Sequence, residues 1–240
     1  MMRGWLNRWR RRLAHALLHR MVFGEQSAGR ALPNTRIAPS TCIEHEDRLQ
    51  LADHVYLGPF NFIEASGGVV IGEGVQITHH VSIVTHSSHR AQRLLGRAYA
   101  GWAGPGARPG WVAGAVHIGA YSFIGPHSLL EAGTTLGEGC IVRACSVLRG
   151  DYPAHAVIAG NPALVVGDAR AGDRRWLAAD PALAASYDAW AGPGAAARLL
   201  AGDGASAAAP GAHLAGDGPA TFATSGADMS QAEMHRGGER

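Results

Sequence analysis

Residues 118–153 read IGAYSF IGPHSL LEAGTT LGEGCI VRACSV LRGDYP. An aliphatic residue opens every rung: Ile118, Ile124, Leu130, Leu136, Val142 and Leu148. A small or acidic residue follows most of them, as at Gly119, Gly125, Glu131 and Gly137. A helix repeats about every 3.6 residues and a strand about every 2, so a period of six is neither element alone. It suits a coil of short parallel strands joined by sharp turns. One aliphatic side chain per rung points to the axis and stacks on its equivalent in the next coil, and small residues stand where the backbone turns.

Upstream the same period gives LADHVY, LGPFNF and IEASGG, shifts by two residues, and resumes as IGEGVQ, ITHHVS and IVTHSS. Three rungs make one triangular turn, so residues 51–68, 71–88, 118–135 and 136–153 read as four turns. IAPSTC and IEHEDR at 37–48 belong to an earlier one. Residues 89–115 break the phase and are expected to leave the coil as a loop. The chain therefore divides into a basic N-terminal segment at 1–36, a coil domain at 37–167 and an Ala/Gly-rich tail at 168–240.

Composition narrows the function. Gly is 33 of 240 residues, charged residues are 17%, and all 21 basic residues are Arg, with no Lys. Seven Arg and one acid, Glu25, fall within residues 1–30, leaving the rest of the chain slightly acidic. A nucleic-acid binder needs a basic body, so that class is excluded. Cys42, Cys140 and Cys145 are odd in number and lack CxxC spacing, which fits a reducing, cytoplasmic setting rather than a disulfide framework or zinc finger. No apolar run approaches the roughly 18 residues of a membrane span, and Arg8–Arg12 spoils a secretory signal.

Residues 1–24 are expected to form an amphipathic helix, with Trp5, Trp9, Leu13, Leu17 and Met21 at i, i+4 spacing among Arg3, Arg8, Arg10, Arg11 and Arg12. Two readings stand: peripheral contact with an anionic membrane at its inner face, or a stripe buried on one end of the coil domain. In the tail, 173–190 has the pattern of a short helix. From Ala191 onward too few large apolar groups remain to offset ordering entropy, and disorder is expected.

The rungs, with Pro153 and AVIAGNPALVVG at 156–167, resemble the hexapeptide-repeat acyltransferase family and within it the sugar and polysaccharide O-acetyltransferase branch. The resemblance spans roughly residues 37–167. It implies a left-handed parallel β-helix, acetyl-CoA as donor, a sugar hydroxyl of a polysaccharide or glycoconjugate precursor as acceptor, a homotrimer with the donor cleft between subunits, and no metal.

Such a transfer needs a base for the hydroxyl proton, a donor for the developing oxyanion, and a cleft that holds both reactants. By resemblance, VSIVTHSSH places His86 as catalytic base, with His89 as the alternative. His79 and His80 read as surface or interface residues that help to orient His86. Related enzymes carry an Asn and an acid one coil earlier, and Asn61 and Glu64 occupy that place as acceptor-binding candidates. Alternatively Glu64 orients the imidazole. The loop adds Arg90, Arg93, Arg97, Tyr99, Trp102 and Trp111 for sugar stacking and anion pairing, Arg90 and Trp102 foremost. Donor contacts map by resemblance onto Phe123, Pro126 and Ala144. Arg149 stands where many members carry a Thr-Lys pair. Cys145 reads as a packing thiol, since no base precedes it.

Two alternatives remain at this point. One is a zinc enzyme like the gamma-class carbonic anhydrases, drawing ligands from His54, His80, His86, His117 and His127, although that family's His pair spacing is missing. The other is a non-catalytic β-helix scaffold.

Overall fold

In the computed structural model, which describes residues 2–104 and 107–202, the six-residue pattern builds a solenoid of three sheets. The first stacks Arg36–Ile37, Tyr56–Leu57, Gln76–Ile77, Phe123–Ile124, Ile141–Val142 and Ala156–Gly160. The second stacks Cys42–Glu44, Phe62–Glu64, Ser82–Val84, Leu129–Leu130 and Val147–Leu148. The third stacks Leu49–Leu51, Val69–Ile71, Val116–Ile118, Thr135–Leu136 and Asp151–Tyr152. Pairing between successive coils is parallel throughout, and each turn visits the sheets in order. This is the parallel β-helix that the spacing predicts.

The aliphatic rung residues form columns along the axis. Ile63 lies opposite Ile83, Ile83 opposite Leu130, and Leu130 opposite Leu148, all fully buried. Each such side chain contributes about 1.5–3 kcal/mol relative to exposure, as an upper bound. The pitch differs in detail from three equal rungs. Leu57 lies opposite Ile77 and Leu51 opposite Ile71, so the early coils run two residues longer than eighteen, whereas Ile124 opposite Val142 keeps eighteen. The surplus pair sits in the corner between Glu64 and Val69, leaving the inward positions undisturbed. Near the end the inward position passes from Leu148 to Tyr152, opposite Leu136. The stack closes with Ala156–Gly160 folding back antiparallel onto Ala163–Asp168.

The N-terminal helix spans Met2–Leu18, shorter than the 1–24 expected. It stops because the carbonyl of His15 accepts from both His19 N–H and Arg20 N–H, so Met21 lies beyond the helix. Every residue from Arg3 to Leu18 is exposed, so the stripe is not buried on the coil domain.

Order continues past Ala191. Helices at Arg170–Ala179, Ala184–Ala191 and Ala195–Ala201 bury Leu177, Ala196 and Leu199 together, with Ala184 and Tyr187 alongside. The Asp188 carboxylate accepts from Gly194 N–H and Ala196 N–H at 3.1 and 2.7 Å, which starts the last helix. Local capping and a small shared core thus offset the poor composition, and the expectation of disorder from Ala191 fails as far as Ala201. The rest of that expectation lies outside the described residues. Trp190 packs on Tyr121, with centroids 4.8 Å apart, and so docks these helices on the coil.

Candidate active site

Glu64 ends a strand of the second sheet directly opposite Val84 of the next coil. Its side chain is 5% exposed. It accepts from Thr85 Oγ1 at 2.7 Å, Thr85 N–H at 3.0 Å and Ser66 N–H at 2.8 Å. Its Oε2 is also 2.8 Å from His86 Nδ1, and Ser66 Oγ lies 3.1 Å from the same nitrogen. Burial pushes the Glu64 carboxyl upward, but the hydrogen bonds from Ser66 and Thr85 outweigh it and hold the group at about 2. A carboxylate only accepts, so the network assigns the ring hydrogen to Nδ1. In the neutral imidazole that leaves the Nε2 lone pair open, and Nε2 has no partner among the described residues.

The surplus corner residues make this possible. Gly67 N–H donates to Thr85 Oγ1 at 2.8 Å, and a Cβ on Gly67 would stand 2.9 Å from Thr85 Cβ. Glycine there lets the corner close on Thr85. The excursion from the coil begins at His86–Ser87, earlier than expected, and these residues pair antiparallel with Val112–Ala113. Gly114 N–H donates to Thr85 C=O at 2.9 Å and closes the neck. Trp111 lies parallel to the His86 ring, with centroids 4.7 Å apart at 12°. The Arg108 guanidinium sits 4.7 Å above Tyr99 and 5.8 Å from Trp111, extending the stack into the loop.

Several residues singled out in the sequence fall elsewhere. Asn61 is 2% exposed. Its Nδ2 donates to the carbonyls of Gly58 and Thr78, and its Oδ1 accepts from Val81 N–H. It braces two coils from the interior and presents nothing to an acceptor. Glu64 likewise has its oxygens engaged, which fits the orienting role rather than acceptor binding. His89 is exposed and meets Ser87 Oγ at 2.8 Å, away from Glu64. Arg93 donates to the His89 carbonyl. Trp102 is half-buried, and its Nε1 has no partner among the described residues. Arg90 flanks the loop, its Cβ close to Gly110.

His79 and His80 do not orient His86. They lie at the corner between the first and second sheets, where Phe60, His80 and His127 stack in successive coils 5.1 and 5.0 Å apart. Among the described residues no three His, Cys, Asp or Glu side chains are grouped to hold a metal. Cys145 is exposed in a turn at φ 61°, whereas Cys140 is the buried thiol, pushed up to about 11 by desolvation.

The donor candidates divide between two corners. Pro126 and Ala144 occupy equivalent turns of adjacent coils, where Cys145 N–H donates to the Pro126 carbonyl at 2.9 Å. Phe123 is exposed on the outer side of the first sheet. Arg149 lies on the His86 side, at the end of the second sheet, 3.5 Å from Glu131. Sequence reasoning missed Ser66, Thr85 and Arg108. The two-residue phase shift at 64–70 was the available signal for the first two, since it marks the widened corner. For Arg108 there was none.

Residues 115–150 match the family described as bacterial transferase hexapeptide (six repeats). A Staphylococcus aureus protein named as an acetyltransferase is 43% identical over 54 residues, 22% of this chain and 27% of its own length. A Mycobacterium tuberculosis protein, also named as an acetyltransferase, is 30% identical over 127 residues, covering 53% of this chain and 39% of that one. The Escherichia coli protein WbbJ, named as a lipopolysaccharide biosynthesis O-acetyl transferase, is 28% identical over 123 residues, 50% of this chain and 57% of that one. The matched stretch thus spans less than two thirds of each of these relatives.

Proposed function

From the premise that this chain is a hexapeptide-repeat β-helix protein, we propose that it transfers an acetyl group from acetyl-CoA to a sugar hydroxyl of a polysaccharide or glycoconjugate precursor. The observation that carries this reading is the imidazole of His86, fixed at Nδ1 by a buried carboxylate 2.8 Å away, with Nε2 open beside the loop. Relatives named as acetyltransferases, WbbJ among them, supply the acyl group and the kind of acceptor.

The chemistry follows from the geometry. Nε2 of neutral His86 takes the proton of the attacking hydroxyl as its oxygen bonds to the thioester carbonyl carbon. Glu64 stays ionised, holds Nδ1–H and balances the positive charge that forms on the ring. The imidazolium then returns its proton to the departing CoA sulfur as the C–S bond breaks, giving the O-acetyl sugar and free CoA thiol. Glu64 is a positioning residue in this scheme and His86 the catalytic one. Stacked on one face of the His86 ring, Trp111 gives an aromatic surface beside it that a sugar can pack against.

The active species is a homotrimer in this reading. Pro126 and Ala144 lie at one corner of the coil and His86 at the next, so a single chain does not bring these two donor contacts to its own base. A cleft between two copies would. A chain that transfers acetyl groups while sedimenting as a monomer overturns that part.

The testing experiment is purified protein with acetyl-CoA and a panel of sugars, nucleotide sugars and lipid-linked oligosaccharides, reading thiol release. Release that depends on one acceptor and vanishes in His86→Ala supports the proposal. Release that is unchanged in His86→Ala overturns it.

A further inference from the structure

The helix Met2–Leu18 makes its apolar face in full and then leaves it uncovered. Trp5, Leu6, Trp9, Leu13 and Leu17 lie within about one third of the helix circumference, given about 100° per residue. Their exposures are 61%, 46%, 52%, 45% and 64%. Two tryptophans and three leucines on one face of one helix form a contiguous exposed apolar patch. Arg10 and Arg12 flank the apolar arc, and Arg3, Arg8 and Arg11 fill the opposite side. No acid occurs between Met1 and Gly24, so nothing within the helix neutralises these charges.

The apolar surface also continues beyond the helix. Val22 and Phe23 are 69% and 62% exposed in the segment that joins it to the first coil. The Arg36 guanidinium lies 4.9 Å from the Phe23 ring and 4.9 Å from Tyr56, which ties that segment to the outer side of the first sheet. His19 packs edge-on against Phe60, 5.1 Å away, and fixes the root of the helix. The rigid solenoid therefore carries the amphipathic helix on an anchored stem.

We propose that this helix binds the surface of an anionic lipid bilayer, lying in the interface with Trp5, Trp9, Leu13 and Leu17 among the acyl chains and its arginines at the headgroups. The occupant follows from charge complementarity. A second copy of the helix would bring six uncompensated arginines of residues 1–20 against six more, whereas anionic headgroups neutralise them. Tryptophan suits the boundary because its ring is apolar and its N–H reaches the wet side. The helix is too short and too charged to cross: among the described residues no helix is long and apolar enough for that. The proposal is independent of the chemistry at His86.

The test is co-sedimentation of the full chain with vesicles of phosphatidylcholine alone, or with about one third phosphatidylglycerol, at low and high salt. The expected result is binding to the anionic vesicles at least about tenfold tighter than to the neutral ones, weakened by salt. The double variant Trp9→Glu, Leu13→Glu and the triple variant Arg8→Gln, Arg11→Gln, Arg12→Gln should each lose at least about tenfold. Both should keep the thermal unfolding of the solenoid, because none of these side chains is buried in it. Equal affinity for both vesicle types, no binding to either, or undiminished binding by the Trp9→Glu, Leu13→Glu variant overturns the proposal. So does a smaller oligomer in that variant without any vesicle binding by the parent, which would assign the stripe to contact between copies.

Discussion

Glu64 Oε2 stands 2.8 Å from His86 Nδ1 across the boundary between two successive coils, and the carboxylate is buried while the imidazole is one third exposed. The carboxylate is shielded and the imidazole is reachable. Two more donors, Thr85 and Ser66, keep the carboxylate ionised without help from the histidine.

If the proposed reaction holds, removing His86 should abolish most turnover. His86→Ala is expected to lower kcat about 10²–10⁴-fold, the range usual for loss of a general base. Glu64→Gln should cost at least about tenfold but less than His86→Ala, because the ring remains while its orientation and the charge opposite it are lost. The readout that separates positioning from simple structural support is the split between kcat and KM: Glu64→Gln should lower kcat with little change in either KM. An unchanged kcat would deny Glu64 this role.

Stability should fall with acid in two separate windows. Burial, with the Arg170 charge adding to it, holds the His155 imidazole below its usual 6.5. The unfolded chain takes that proton first, so this contribution is complete above about 6.5 and declines as pH falls below it. Glu64, at about 2 against its usual 4.5, adds stability that is complete above 4.5 and lost as pH falls from 4.5 toward 2. The second contribution is on the order of 3 kcal/mol. Thermal unfolding across pH should show both declines. His155→Asn should flatten the upper one, since Asn tolerates the φ of 62° at that turn. Glu64→Gln should flatten the lower one. A profile unaltered by both variants would contradict the assignment.

The glycine in the corner offers a separate test of how the site is supported. A Cβ at Gly67 would lie 2.9 Å from Thr85 Cβ and 3.1 Å from its Oγ1, so Gly67→Ala must shift the residue that gives Glu64 two hydrogen bonds. Activity is expected to fall about as far as in Glu64→Gln, with the melting temperature lower by a few degrees. Gly172→Ala is the control. Nothing lies within 4 Å of its added Cβ, and it sits within the helix Arg170–Ala179. That variant should gain roughly 0.5–1 kcal/mol and leave turnover unchanged.

The sequence reading succeeded where a single physical demand repeats. Ile118, Ile124, Leu130, Leu136, Val142 and Leu148 each had to face the axis, and the same choice made six times is visible without coordinates. The reading weakened where a residue does something once. Asn61 and Glu64 look alike as polar turn residues, yet one braces the interior with its whole amide and the other holds the base. The distinction depends on the two extra residues in the corner, which appeared in the sequence only as a slip of phase. Arg108 was invisible because its partners, Tyr99 and Trp111, are brought to it by loop folding and not by any spacing. The tail misled for the opposite reason. Ala196 and Leu199 bury against Leu177, so a sparse apolar content sufficed once the three were adjacent.

The stack over the base leads to a last expectation. Trp111 covers one face of the His86 ring, and its neighbours Val112–Ala113 pair with His86–Ser87, so the loop's return strand and the His86 ring are held as one unit. Trp111→Ala removes the ring contact but leaves the backbone pairing and the solenoid columns intact. Its effect should therefore appear mainly as a KM for the acceptor raised about tenfold, with smaller change in kcat and none in the melting of the solenoid. Trp111→Phe keeps a flat ring over His86 and should recover most of the loss. Arg108→Ala leaves both rings in place but withdraws the cation from Tyr99 and Trp111. It should raise the acceptor KM less than Trp111→Ala for a neutral sugar, and more for an acceptor bearing phosphate or carboxylate. Steady-state kinetics of the three variants, with one neutral and one anionic acceptor, check the ordering. A kcat loss in Trp111→Ala as deep as that of His86→Ala would show instead that the ring sets the imidazole's position and does not wall the acceptor.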